Sequence, residues 1–258
     1  MDGQSRLLSG IAVPGLKDSD RVYLKEAPFA EPMRRASILR TGHIVEVPSR
    51  PMTASPTALT LADVVVPWRP ASDLMRALRA VLLVTGGAAL TALSAQLVWF
   101  APWNPAVPYT FQTAAVLLVG TALGSRLGLA SMALYVAAGA AGLGVFADGS
   151  SGLGADGALR ASIGYLGGFV LAGGLVGWLA ERGWDRSPRR TIGLMVSGNL
   201  VIYAIGVPVL ATVLNMSAGD ALWHGALVFA PWDGIKIAAA AGLLPVAWRL
   251  LGDRGAPR

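Results

Sequence analysis

Apolar positions in the second part of the chain fall into six long runs, and polar positions are concentrated in the connections between them. The runs cover residues 77–100, 111–123, 127–145, 163–180, 192–214 and about 222–251. A helix of the length of the first run can cross a hydrocarbon core of roughly 30 Å. The second run is short for an upright span, so we expect it to be bent or partly covered by protein. The pattern predicts an all-α membrane protein with six transmembrane helices.

Residues 1–65 have a different pattern from the rest of the chain. They are polar, contain several prolines and include no long apolar run. The pattern predicts a disordered N-terminal extension, followed by a six-helix membrane domain over residues 66–258. The stretch also lacks the apolar core of a secretory signal. Met52 is a candidate natural start, with the residues before it as a start-site artefact, and a genuine cytoplasmic tail is the alternative.

Basic residues in the connections give the orientation of the predicted spans. Eleven arginines fall on one side: Arg69, Arg76, Arg79, Arg126, Arg182, Arg186, Arg189, Arg190, Arg249, Arg254 and Arg258. The connections on the other side contain only Arg160. Because connections rich in Lys and Arg stay in the cytoplasm, we expect both termini there.

Composition supports a membrane environment and excludes some functions. Hydrophobic residues make up 54% of the chain and charged residues only 14%, whereas soluble domains contain roughly 25% charged residues. The net charge of +6 does not indicate nucleic-acid binding, because the basic residues lie in short clusters between apolar runs. The chain has no cysteine, which excludes disulfides, thiolate metal sites and a cysteine nucleophile.

The sixth run contains two opposite charges, Asp233 and Lys236. An ionised side chain at the bilayer centre costs roughly 2.5–3.5 kcal/mol on insertion scales. Residues three apart share one helix face, so one interpretation is an ion pair that fixes helix packing. The other is that both side chains face a polar cavity and hold a solute. We favour the second, because ionisable residues within membranes usually mark functional sites.

Further polar residues fall at the same end of the predicted bundle, several of them in a glycine-rich connection. They are Thr110, Gln112, Thr113, Asp148, Ser150, Ser151, Arg160, Ser162 and Tyr165. Alternative roles are a helix cap for Gln112, a surface cation for Arg160 and solvated loop charges for Asp148 and Asp156. A lysine suits a carboxylate and an aspartate suits paired N–H donors. Phe146, Tyr165 and Trp232 could form apolar walls, so the residues themselves indicate a small amphiphilic acid as the ligand.

Several motifs resemble the BioY family, the biotin-binding S-components of energy-coupling factor (ECF) transporters. They read VPYTFQTAAVLLVGTALGSRLG (107–128), YVAAGAAGLGVFADGSSGLG (135–154), GYLGGFVLAG (164–173) and PWDGIKIAAAA (231–241). Together they cover most of residues 75–251, and the Pro-x-Thr-x-Gln-Thr and Asp-x-x-Lys elements are the most specific. The resemblance implies a six-helix protein of the prokaryotic plasma membrane that holds biotin near its outer face.

The resemblance also implies roles for individual residues. Lys236 would meet the carboxylate or polar head of biotin, and Asp233 would accept a hydrogen bond from a ureido N–H. The other residues that match the family's binding positions are Gln112, Ser150 or Ser151, Ser162 and Tyr165. The sequence RASIGY departs from the usual Gly-Pro-Thr/Ser-Gly-Gly-Tyr, and Leu166 stands where some relatives have an arginine. Arg160 is a candidate replacement, ranked below Lys236.

The resemblance implies a protein that captures biotin and is not an enzyme. A separate membrane scaffold subunit and two ATPases would drive transport, and the chain has no phosphate-binding Gly-x-x-x-x-Gly-Lys-Ser/Thr motif. We expect no catalytic residue, metal or cofactor, because biotin would be bound as the transported substrate. Ala88 and Ala92 are candidates for scaffold docking, with ordinary internal packing as the alternative.

Two other functions are alternatives to biotin capture. A solitary secondary transporter of a small carboxylate-bearing solute could use Asp233 as a proton carrier. Such folds usually contain inverted repeats, which the six runs do not display. An intramembrane hydrolase would need Ser197 and His224 at one depth. Their positions near opposite ends of the predicted spans argue against it.

Overall fold

The structure is a computed structural model that describes residues 22–24, 36–40, 43–46, 59–66, 72–153 and 158–252. The chain divides into two compact units, Met1–Thr57 and Ala58–Arg258. The second unit begins shortly before the predicted domain boundary at residue 66.

The described part of the first unit is a three-stranded antiparallel sheet. Its strands are β1 (Val22–Leu24), β2 (Ala36–Arg40) and β3 (His43–Glu46), with β2 in the middle. In β2, Ile38 lies opposite Val22 on one side and Val45 on the other. The predicted disorder of residues 1–65 lies largely outside the described residues and stays a prediction. The sequence pattern did not predict the three strands.

The second unit is mostly helical, and its helices follow the predicted apolar runs. They are α1 (Leu61–Val65), α2 (Asp73–Ala95), α3 (Gln112–Leu123), α4 (Ser125–Ala140), α5 (Ala158–Ala180), α6 (Pro188–Leu214), α7 (Ala218–Gly225) and α8 (Ala230–Gly252). The sixth run differs from the prediction, because it is divided into α7 and α8 by a short 3-10 turn, Leu227–Phe229. Gly124 alone joins α3 to α4, residues 181–187 join α5 to α6, and a longer connection, 141–157, joins α4 to α5. The two helices of each pair pack on one another, so α3 to α6 alternate in direction.

Four segments of the described residues are long and apolar enough to cross a membrane. They are Asp73–Ala95, Ala161–Ala180, Pro188–Leu214 and Ala218–Leu251. By contrast, α3 has only 12 residues, which is about 18 Å at 1.5 Å per residue, and most of its middle is buried. The structure thus confirms a mostly helical chain with several apolar spans. Six spans and the orientation of the termini stay predictions.

The expectation of an all-α unit is corrected by a β-hairpin between α2 and α3. Strands β4 (Val98–Ala101) and β5 (Asn104–Thr110) pair antiparallel, so α2 stops at Ala95 and does not reach residue 100. Three prolines within 102–108 prevent helix continuation, and Val, Trp, Phe and Tyr favour strands. The hairpin is held by Nδ2 of Asn104, which donates to the carbonyl of His224 at 3.0 Å.

Glycines allow the backbones of α3, α4 and α5 to approach one another closely. A Cβ added to Gly120 would lie 2.5 Å from the carbonyl oxygen of Gly173, and one added to Gly128 would lie 2.8 Å from Cα of Gly120. This is the packing of small residues expected between membrane helices. Of the two alanines proposed for scaffold docking, Ala88 is buried in the core and Ala92 packs against it. Internal packing therefore explains them.

Polar contacts close the end of the unit at which α2 begins. Oε1 of Glu181 accepts hydrogen bonds from the backbone N–H (2.7 Å) and hydroxyl (2.8 Å) of Ser125, which satisfies the start of α4. Asp63 of α1 pairs with Arg79 of α2 at 3.0 Å. This end is called the capped end below, and the end with the hairpin is called the cavity end.

Candidate solute-binding site

A cavity of about 230 Å³ lies at the cavity end of the unit. The hairpin, the start of α3, the connection after α4 and the start of α5 surround it. Its lining residues are Phe100, Val107, Pro108, Thr110, Gln112, Thr113, Phe146, Ala147, Asp148, Ser150, Ser162, Tyr165, Leu166 and Phe169. Aromatic and aliphatic walls with a few polar groups are typical of small-molecule sites.

Gln112 is a buried polar residue of the wall at the start of α3. Its Nε2 donates to the hydroxyl of Tyr135 at 2.7 Å, and that hydroxyl donates to the carbonyl of Val145 at 3.2 Å. The side chain therefore binds Tyr135. The alternative interpretation, in which Gln112 caps the end of a helix, does not describe this contact. The amide oxygen of Gln112 is left as an acceptor for a ligand.

The connection between α4 and α5 is fixed against the end of α2 by Gln96. Its Nε2 donates to the carbonyl of Phe146 at 3.1 Å, and its Oε1 accepts the N–H of Gly149 at 3.1 Å. Between these anchors, Asp148 has a φ of 57°, in the left-handed region that non-glycine residues rarely adopt. Such strained residues are concentrated at functional sites. Asp148, interpreted above as a solvated loop charge, is exposed but lines the cavity.

Ser162 and Tyr165 reach the cavity from α5. The hydroxyl of Tyr165 donates to the carbonyl of Gly225 at 2.8 Å. A Cβ on Gly206 would lie 2.4 Å from the tyrosine ring, so the glycine leaves the space that the ring occupies. Tyr165 therefore offers a ligand its ring and keeps its hydroxyl engaged with the protein.

Asp233 and Lys236 form an ion pair, with 3.1 Å between Oδ1 and Nζ. The exposed fractions of the Lys236 and Asp233 side chains are only 8% and 7%. Neither residue lines the cavity; the pair lies next to its wall. The ion-pair interpretation thus describes their direct contact, and in this structure one side chain stands between the pair and the cavity. The predicted contact of Asp233 and Lys236 with a solute stays a prediction.

Thr113 is that intervening side chain, because it lines the cavity and also contacts the pair. Its Oγ1 accepts a hydrogen bond from Nζ of Lys236 at 2.7 Å. A hydroxyl that accepts from an ammonium group still has its own hydrogen to donate. Thr113 can therefore present a donor, polarised by the lysine charge, to an anionic oxygen in the cavity.

Four of the eight predicted residues line the cavity together: Gln112, Ser150, Ser162 and Tyr165. Ser151 follows Ser150 in the chain and is half-buried, but it is not part of the lining. The side chain of Arg160 lies outside the described residues. The sequence interpretation placed Thr113 at this end of the bundle without assigning it to the site, and it missed Gln96. Thr113 had a usable signal, since it follows Gln112 within the Pro-x-Thr-x-Gln-Thr element.

A second cavity, of about 740 Å³, lies on another side of the hairpin. It is lined by Gln96, Leu97, Val98, Trp99, Trp103, Tyr109, Thr110, Phe111, Val228, Pro231, Trp232 and Ile235. No charged side chain belongs to this lining, so it lacks a cation that would pair with an acid. Trp232, which the sequence suggested as a wall of the solute site, lines this apolar cavity instead.

The alternative chemistries find no support in the described residues. Ser197 donates to the carbonyl of Gly193, one turn earlier in α6, at 2.7 Å, while His224 belongs to α7. Across the described residues, no group of three or more His, Asp and Glu side chains is arranged to hold a metal ion.

Comparisons with known proteins agree with this architecture. The probable biotin transporter BioY of Lysinibacillus sphaericus is 37% identical over 112 residues, 43% of this chain and only 56% of that protein. The biotin transporter BioY of Thermotoga maritima is 37% identical over 155 residues, 58% of this chain and 86% of that protein. A crystal structure of the S-component for biotin from an ECF-type ABC transporter is 21% identical, with a TM-score of 0.55 over 70% of this chain and 94% of that chain.

The structural match shows the same fold, and the two relatives are named as transporters and not as enzymes. The model of the BioY family matches residues 46–253. The chain therefore belongs to the BioY family.

Proposed function

We propose that the chain is a high-affinity, membrane-embedded S-component that captures biotin in the cavity between the hairpin and α5. The observation that carries the proposal is the composition of that cavity. Apolar and aromatic walls are combined with amide and hydroxyl groups, and Thr113 connects them to the buried charge of Lys236. The named biotin transporters among the relatives support the choice of biotin.

The chemistry of biotin suits the two kinds of wall. Its hydrocarbon part would lie along Phe146, Leu166 and Phe169, where burial of apolar surface stabilises the complex. Its carboxylate would lie near Thr113 and the charge of Lys236. Its ureido group, which offers N–H donors and a carbonyl, would meet Gln112 and the serine hydroxyls. Biotin is here a transported solute, and the proposal requires no cofactor.

We also propose six membrane spans with both termini in the cytoplasm of a prokaryotic cell. The arginine-rich connections would then lie at the capped end, and the cavity would open outward. A scaffold subunit and two ATPases would supply the driving force, because the sequence contains no phosphate-binding loop of its own. The S-component named in the structural match comes from a transporter of this class.

Calorimetry on the detergent-solubilised chain, with a panel of vitamins that includes dethiobiotin, tests the ligand. We expect saturable binding of biotin, one per chain, in the absence of ATP. Absence of saturable biotin binding by a folded chain would contradict the proposal. Co-purification of a scaffold and ATPases from the native membrane tests the partners. Biotin uptake into vesicles that contain this chain alone would instead favour the solitary transporter.

A further inference from the structure

Tyr203 of α6 connects the buried ion pair to the cavity wall without lining the cavity itself. Its hydroxyl donates to Oδ2 of Asp233. Its ring meets the ring of Tyr165 edge to face, with centroids 6.3 Å apart and planes inclined at 86°. Tyr165 is part of the cavity wall, so one side chain contacts both the carboxylate and the ligand-facing surface.

Each carboxylate oxygen of Asp233 accepts a hydrogen bond from a different residue. Oδ1 accepts from Lys236 at 3.1 Å, whereas Oδ2 accepts from Tyr203. The last torsion of an aspartate side chain is broad and is not fixed by staggering. Two donors that approach different oxygens from different helices therefore determine the plane of this carboxylate. Without the tyrosine donor, Lys236, three residues away on the same helix, would be the one side-chain donor left to it among the described residues.

The orientation of Asp233 also affects Lys236. Nζ of Lys236 binds Oδ1 of Asp233 and Oγ1 of Thr113 together. If the carboxylate rotates, the ammonium group has to follow it or lose that hydrogen bond, and the contact with Thr113 at the cavity wall shifts. Buried groups of this kind are energetically coupled through shared hydrogen bonds.

We infer that Tyr203 is a positioning residue for ligand recognition, which holds Asp233 and, through it, Lys236 and Thr113 in the arrangement that binds the solute. The inference rests on the proposed function. It assigns to α6 a role in affinity, although no residue of α6 lines the cavity.

A double-mutant cycle tests the inference. Biotin affinity is measured for the full chain and for the Tyr203→Phe, Asp233→Asn and doubly substituted variants, by displacement of labelled biotin over a wide concentration range. Tyr203→Phe keeps the ring but removes the donor, so we expect about tenfold weaker binding. In the Asp233→Asn background the same change should cost less than threefold, because the hydroxyl acts through the carboxylate.

Tyr109→Phe is the matched control. It removes a hydroxyl that donates to the carbonyl of Val228 at 3.2 Å, and Tyr109 lines the apolar second cavity. We expect its affinity for biotin to stay within twofold of the parent chain. Thermal unfolding of every variant separates positioning from stability, since a purely structural role would lower the melting temperature and leave affinity unchanged.

The outcomes separate this inference from the proposed function. If the parent chain binds biotin and Tyr203→Phe binds equally well, Tyr203 has no positioning role. An equal loss in both backgrounds would also overturn the inference, because Tyr203 would then act independently of Asp233. If the parent chain fails to bind biotin, the proposed function itself is contradicted.

Discussion

The two ends of the helical unit each bury an aspartate, and the surroundings of the two residues differ. At the cavity end, Asp233 contacts a lysine and a tyrosine next to a cavity. At the capped end, Asp185 is fully buried and accepts a hydrogen bond from Nε1 of Trp248 through one oxygen, while its other oxygen has no partner among the described residues. The comparison shows that burial of a carboxylate alone does not mark a binding site.

The balance of charge explains the difference. Asp233 has a cation at hydrogen-bond distance, and that cation also binds a side chain of the cavity wall. The guanidinium of Arg186 instead stacks on the ring of Trp248, at 4.5 Å from its centroid, and burial raises the pKa of Asp185 more than the Trp248 hydrogen bond and the Arg186 charge lower it. Asp233 therefore lies beside a cation, whereas burial pushes the carboxyl group of Asp185 towards its neutral form.

The largest effect is expected from Lys236→Ala at the cavity end. The change leaves Asp233 buried without its cation, which costs about 3–5 kcal/mol in typical buried pairs, and removes the charge behind Thr113. Biotin should bind at least 100-fold more weakly, as measured by calorimetry. The loss should be much smaller for an analogue that lacks the carboxylate.

Arg182→Ala is the control for Lys236→Ala, because it removes a cation at the capped end that stacks on Trp178. Its affinity for biotin should be unchanged. Equal losses for biotin and for the analogue without the acid would show that Lys236 does not serve the carboxylate.

A smaller effect, on folding alone, is expected from Gly120→Ala in the helix packing between the two ends. The new Cβ would lie 2.5 Å from the carbonyl oxygen of Gly173, and overpacking of this kind costs about 1–3 kcal/mol. The variant should unfold at a lower temperature than the parent chain in the same detergent. Gly86→Ala, whose Cβ would meet nothing within 4 Å, should not lower it. Equal melting temperatures for the two variants would contradict the packing described here.

The third prediction concerns the pH dependence of the capped end. Because the pKa of Asp185 is raised on folding, mainly by burial, the folded state holds its proton more tightly than the unfolded chain. Its stabilising contribution is present at acidic pH and is lost as the pH rises through the folded pKa. At neutral pH, Asp185→Asn should therefore raise stability by about 1 kcal/mol and flatten the dependence of melting temperature on pH.

Asp63→Asn is the control, because folding shifts the pKa of Asp63 in the opposite direction to that of Asp185. Burial acts to raise the pKa of Asp63, but hydrogen bonds from Thr60 and Arg79 outweigh it and lower the pKa below the ordinary value of 3.8. Its contribution is therefore present above pH 3.8 and is lost as the pH falls through the folded pKa.

Loss of stability in Asp185→Asn at neutral pH would contradict the prediction for Asp185, because it would show that the Asp185 carboxylate is stabilised in place.

The smallest effect is expected from removal of residues 1–51, which should leave biotin affinity within twofold of the full chain. The compact helical unit begins at Ala58, and its described contacts include the pair between Asp63 and Arg79. A deletion that extends to residue 66 removes this pair and should lower the melting temperature. A large loss of affinity on removing residues 1–51 alone would show that this segment takes part in binding.

Most helices could be predicted from the sequence because a membrane-spanning helix needs about 20 predominantly apolar residues in a row. The hairpin could not be, because Trp99 and Phe100 continue the apolar run and only the prolines after them indicate a change. Four site residues were predicted through motifs, Thr113 was only placed at the same end of the bundle, and Gln96 and Tyr203 were missed. Which of many polar residues in apolar helices approach one another depends on helix rotation and register, which composition does not encode.

The measurement that tests the central claim most directly is protection of the cavity by biotin. The chain contains no cysteine, so Ser150→Cys places a single thiol on the cavity wall. Ser217→Cys places one at an exposed position outside the lining. We predict that biotin slows maleimide labelling of the Ser150→Cys variant at least tenfold and leaves the rate for the Ser217→Cys variant unchanged. Labelling of the Ser150→Cys variant at the same rate with and without saturating biotin would contradict the account.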